Sequence, residues 1–102
     1  MEGIELISFQ IISAVGAARS CYIEAIQLAK KKDFDLANEK IKEGDQLFND
    51  GHHAHGSLIQ KEAAGEKTEF SIILMHAEDQ LMSAEGFRII SEEFVDLYRS
   101  LN

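Results

Sequence analysis

Ser71–Met82 reads SIILMHAEDQLM, an apolar run that meets one histidine and an acid pair, then turns apolar again with no glycine or proline to break it. Its apolar residues recur at spacings of three and four, the period of one face of an α-helix. From Phe70 the stripe Ile73, Ala77, Leu81, Ala84, Phe87, Ile90, Phe94, Leu97 and Leu101 keeps that period to the end of the chain, and Thr68 or Ser71 can cap its start. The spacing predicts a helix of about 30 residues, some 45 Å long at roughly 1.5 Å per residue.

The same period runs through the preceding sequence. Ile4, Ile7, Ile11, Ala14, Ala18, Ala25 and Leu28 share one face and predict a first helix from Gly3 to about Lys31, whose last turn meets the cluster Lys30, Lys31 and Lys32. Asp33 is a candidate N-cap for a second helix that carries Phe34, Ala37, Ile41, Phe48, Leu58 and Ile59 and ends before Gly65. The chain has no proline and only scattered glycines, so nothing in it reads as a linker or a β-turn. The fold class expected is all-α: one domain over residues 1–102, an antiparallel three-helix bundle joined by short connections.

Composition narrows the partners. Ten Lys plus Arg stand against 18 Asp plus Glu, a formal charge of −8, which opposes binding to nucleic acid or to an anionic membrane. Charges interrupt the apolar residues throughout, so no stretch is expected to approach the roughly 20 apolar residues of a membrane span, and no direct membrane insertion is expected. The opening MEGIELIS begins with an acid and lacks the cationic and small-residue features of a secretory signal. The single cysteine, Cys21, has no internal disulfide partner, and a cytoplasmic location is the simplest expectation.

A bundle this slender has much surface for its volume and gains from self-association. The third helix shows where: Ile72, Met75, His76, Asp79 and Met82 form a second line, rotated from Ala77 and Leu81. Leu6, Phe9 and Ile12 repeat the pattern on the first helix. Gly16 lies mid-helix, where glycine costs about 1 kcal/mol relative to alanine, and a close backbone approach is expected to compensate.

Candidate chemistry gathers in two places. His76 and Asp79 are three residues apart and share a helical face. A neutral imidazole nitrogen is nucleophilic enough to accept a phosphoryl group or a metal, while the structural alternative is a partly buried histidine bonded to a backbone carbonyl. His52 and His55 have the same spacing and suit one metal, with a solvated histidine-rich surface as the alternative. Cys21 reads as a small buried hydrophobe, and the glycines at 44, 51 and 56 lack the lysine and hydroxyl residue of a phosphate-cradling loop.

Three blocks carry a resemblance: VGAARS at Val15–Ser20, LIQKEAAGE at Leu58–Glu66, and above all LMHAEDQLM at Leu74–Met82. Through them the chain resembles, over nearly its whole length, the IIA component of the lactose and cellobiose/chitobiose type in the bacterial sugar phosphotransferase system. The resemblance implies a three-helix protomer in a nine-helix homotrimer. It implies that His76 is the phosphoacceptor, carrying a tele-phosphohistidine, and that Asp79 lines the trimer centre and binds one Mg2+ per trimer on the threefold axis.

The partners implied are the histidine phosphocarrier protein as donor, a cysteine of the cognate IIB component as acceptor, and the membrane IIC component, where most sugar specificity resides. Lactose, cellobiose, chitobiose and other β-glycosides all remain open. Three positions depart from the family pattern. Glu78 stands where glutamine is usual, Gln80 replaces a histidine after the aspartate, and His55 replaces a glutamine in the block where His52 matches the family histidine. Gln80, His52 and His55 are candidates for shaping the site. The alternative function is a trimeric helical adaptor that has lost the relay and binds metal through His52 and His55.

Overall fold

In a computed structural model that describes residues 3–101, the chain forms three helices, α1 (Gly3–Lys30), α2 (Phe34–Ala63) and α3 (Ile72–Ser100). The two tight connections reverse the chain twice, so consecutive helices run antiparallel and α1 lies parallel to α3, in a bundle measuring 53 × 24 × 19 Å. Met1, Glu2 and Asn102 lie outside the described residues, and with them the first two residues of MEGIELIS and the last residue of the expected third helix.

The helix ends follow local chemistry. Asp33 caps α2 by accepting a hydrogen bond from the Leu36 amide at 3.3 Å, and Ser71, rather than Thr68, caps α3 by accepting from the Leu74 amide at 3.1 Å. Both α1 and α2 end with paired bonds from the two residues beyond the cap. Lys32 N donates to Ala29 O and Asp33 N to Leu28 O; Gly65 N donates to Glu62 O and Glu66 N to Lys61 O. Each closure needs a left-handed residue, supplied by Gly65 at φ 92° and, at greater steric cost, by Lys32 at φ 68°.

α1 packs against both other helices, while α2 and α3 touch each other least. The core holds Ile11, Val15, Ala18, Tyr22, Ala25 and Ala29 of α1 with Ala37, Ile41, Phe48 and Leu58 of α2 and Ala77, Leu81, Ala84 and Val95 of α3. Two expected stripes are rotated from this core. On α1 the buried positions are Val15 and Ala29 rather than Ala14 and Leu28, with Ser8 and Tyr22 joining them. On α3 the buried line continues through Ser91 and Val95, while Ile90, Phe94, Leu97 and Leu101 are exposed, as are Phe70 and Ile59.

The cause is helix spacing. Where α3 runs close to its neighbours in its second half, the small Ala84, Ser91 and Val95 take the inner line and the bulkier Ile90, Phe94 and Leu97 lie off it. Gly44 and Gly51 make the same point: a Cβ on Gly44 would stand 2.7 Å from the Tyr22 ring and one on Gly51 2.5 Å from Val15 Cγ1. Gly16, where a close approach was expected, has nothing within 4 Å of that position.

A further correction concerns α1. An 18-residue window with mean hydropathy 1.4 makes it long and apolar enough, by length and composition, to cross a membrane. It carries no charge between Glu5 and Arg19, and its line Ile11, Val15, Ala18, Tyr22 and Ala25 supplies the core to both neighbouring helices, which accounts for that apolar character within a bundle.

Candidate functional site

His76 lies in the second turn of α3, a helix whose start Ser71 fixes. Its side chain is exposed and makes no hydrogen bond to another described residue, so the buried, carbonyl-bonded alternative does not describe it. Ile72, Met75 and Met82 are 74%, 53% and 67% exposed, and they place His76 at the edge of an apolar face that the protomer leaves uncovered. Asp79 is exposed in the same region, three residues from His76. Gln80, one turn beyond His76 on the same flank, is half-buried.

The α2 histidines are not part of that arrangement. His55 is largely covered and its Nε2 lies 3.0 Å from Glu78 Oε1 on α3. His52 is exposed, its ring centroid 6.1 Å from that of Phe48. With His53, Gly56, Ser57 and Gln60 it lines a shallow groove of about 220 Å3 along α2. Among the described residues no three His, Cys, Asp or Glu side chains gather as a metal set, and the His55 ring of the His52 and His55 pair is turned to α3. Glu78 engages His55 from across the helix interface.

Periodicity also missed a network that holds α3 in place. Tyr22, fully buried on α1, donates its hydroxyl proton to Asp45 Oδ1 on α2 at 2.7 Å, and Arg88 Nε of α3 approaches the same oxygen at 3.3 Å. The Arg88 guanidinium also lies 5.7 Å from the centre of the Phe48 ring. Burial, followed by the hydrogen bond to Asp45, pushes the Tyr22 phenol above its ordinary value of 10.0. Burial, then the Glu43 carboxylate, raises the Cys21 thiol, which fits an unreactive packing residue. The available signal for the network was the tyrosine itself, since a buried phenol seeks a partner.

The family model described as "PTS system, Lactose/Cellobiose specific IIA subunit" matches residues 6–99. The chain belongs to this family. As a IIA subunit it is a phosphotransferase relay component of a sugar phosphotransferase system. It is 42% identical over 98 residues to the oligo-beta-mannoside-specific EIIA component of Bacillus subtilis (strain 168), covering 96% of this chain and 89% of that one.

The crystal structure of the cellobiose-specific enzyme IIA from Bacillus anthracis superposes with a TM-score of 0.95 at 44% identity, covering 99% of this IIA subunit and 93% of that chain. The IIA(Chitobiose) chain from the solution structures of its complex with HPr in Escherichia coli superposes at 0.84 with 29% identity, covering 99% and 98%. These likenesses favour the relay over the adaptor.

Proposed function

We propose that His76 is the phosphoacceptor of this IIA subunit, taking phosphate from the histidine phosphocarrier protein HPr and giving it to a cysteine of a cognate IIB component that serves a membrane IIC. The observation that carries the reading is the exposed, unbonded imidazole at the rim of an uncovered apolar face. In the first step the His76 Nε2 lone pair attacks phosphorus, a P–N bond forms, and the donor's P–N bond breaks with its electron pair returning to the donor imidazole. In the second step a IIB thiolate attacks, a P–S bond forms, and His76 leaves as neutral imidazole. Each transfer is near-balanced and positional, so the protein needs to orient the ring rather than grip the phosphate.

The outer face of α3 supports assembly into a parallel homotrimer, giving nine helices. Ile72, Met75, Met82, Ile89, Ile90 and Leu97 are all exposed there, and a shallow apolar groove lies between Ile90, Phe94 and Leu97. Asp79 fits a Mg2+ site within it: one exposed carboxylate among apolar neighbours becomes three around a threefold axis, and oxygen donors suit a hard cation. Bound there, Mg2+ would supply charge neutralisation between the carboxylates and take no part in transfer. The relay belongs in the cytoplasm, with a β-glycoside as the sugar class.

Incubation with phosphoenolpyruvate, enzyme I and HPr is expected to add one acid-labile phosphate per chain, and His76→Gln is expected to add none. Absence of phosphate on the unaltered protein would rule out the relay. Phosphate on the His76→Gln protein would reassign the acceptor.

A further inference from the structure

Two of the departures from the family pattern, His55 and Glu78, meet in a single contact. His55 Nε2 of α2 lies 3.0 Å from Glu78 Oε1 of α3, with the histidine side chain 19% and the glutamate 52% exposed. The contact crosses the most sparsely packed of the three helix interfaces. Glu78 is two residues from His76, so the two side chains leave opposite flanks of α3. Between those flanks runs the uncovered line Ile72, Met75, Asp79, Met82, Gly86 and Ile89, with alternating spacings of three and four residues.

That alternation is the seam of a coiled coil, and it places His76 and Glu78 at the two positions bordering the seam. In a parallel trimer the flank carrying His76 on one helix meets the flank carrying Glu78 on the next. Glu78 of the partner subunit therefore borders the same cleft as each phosphoacceptor, offset from it by two residues or about 3 Å along the axis. A carboxylate turned into that cleft repels an incoming phosphoryl group. Turned onto its own α2 and bonded to His55, it does not.

We propose that His55 is a positioning residue for phosphoryl transfer: it holds Glu78 against α2 and keeps that carboxylate out of the cleft where His76 of the partner subunit meets the phosphate donor. The inference rests on the trimeric relay proposed above and assigns a role to the two substitutions together. His55 compensates for the charge that Glu78 introduces.

The test compares the unaltered protein with His55→Gln, Glu78→Gln and the double variant, measuring kcat/KM for transfer from phosphorylated HPr. Sedimentation confirms that each remains a trimer. His55→Gln is expected to lower kcat/KM roughly fivefold at low salt, with a smaller loss at high ionic strength. The double variant is expected to recover to within about twofold of the unaltered protein, because it has no carboxylate left to restrain. A His55 that serves only packing would give a loss that Glu78→Gln does not rescue, and that result overturns the inference, as does a His55→Gln protein with unchanged kinetics. If the unaltered protein takes no phosphate, the relay and this inference fall together; the other two results overturn this inference alone.

Discussion

On its inner face α3 carries Ala77, Leu81, Ala84, Ser91 and Val95, and on its outer face Ile72, Met75, Met82, Ile89, Ile90 and Leu97. The smaller set is buried in the protomer and the bulkier set is exposed. Close helix approach explains the first, because at short interaxial distance a small side chain fills the available space. The second has no counterpart inside the protomer. In the trimer proposed above a neighbouring copy covers this apolar face, and His76 lies on its border rather than in its middle. Charge is distributed to match: Asp79 is the acid set within the upper part of the outer line, whereas Glu78 turns toward α2.

The comparison breaks most sharply under one substitution on each face. Ala84→Glu buries an unpaired carboxylate on the inner line and is expected to cost at least about 3 kcal/mol, seen as loss of cooperative thermal unfolding by circular dichroism. Met82→Glu, two residues away on the outer face, is expected to leave protomer stability within about 0.5 kcal/mol while converting the trimer to monomer by sedimentation. A helical but monomeric Ala84→Glu protein, or a Met82→Glu protein that stays trimeric, would reverse the assignment of the faces.

Glycine positions sharpen the contrast at smaller magnitude. Gly44→Ala pushes a methyl into the Tyr22 ring and is expected to lower stability by about 1–3 kcal/mol in denaturant titration. Gly16→Ala has open space around it and is expected to raise protomer stability by about 1 kcal/mol through helix propensity. Metal removal probes the outer face alone. A chelator is expected to loosen the unaltered trimer by uncovering repulsion between Asp79 carboxylates, and Asp79→Leu is expected to hold the trimer with or without chelator, as judged by concentration-dependent sedimentation.

An effect of similar size, confined to high pH, belongs to the inner network. Because the folded state raises the Tyr22 pKa, the fold favours the protonated phenol, and that contribution is fully present below the unfolded value of 10.0. It is lost as the pH climbs beyond that value. Melting temperature is therefore expected to fall above about pH 10, and Tyr22→Phe is expected to flatten that part of the profile while lowering stability at neutral pH by about 1–2 kcal/mol.

Much of the architecture was legible from residue order alone. Three helices, Asp33 as one cap, Ser71 as one of two candidates for another, and Gly65 at a helix stop follow from local chemistry that needs no partner: a side-chain oxygen near free amides, and a residue that tolerates positive φ. The block around His76 and Asp79 was also visible, since spacings of three and four fix which side chains share a helical face. The stripe through Ile90, Phe94 and Leu97 was misplaced because hydrophobicity ranks side chains by their aversion to water and says nothing about how closely two helices approach.

Sequence alone determined the number of helices, the approximate span of each and the relation of His76 to its neighbours along α3, because these are set within a turn or two of chain. Tertiary structure alone decided that Ser8 and Ser91 are buried while Met82 is exposed, that Tyr22, Asp45 and Arg88 join three helices, and that His55 meets Glu78 across the α2–α3 interface. Each of these depends on how α1, α2 and α3 are rotated about their own axes. That rotation is chosen by the packing of all three helices at once, and periodicity within one helix does not contain it.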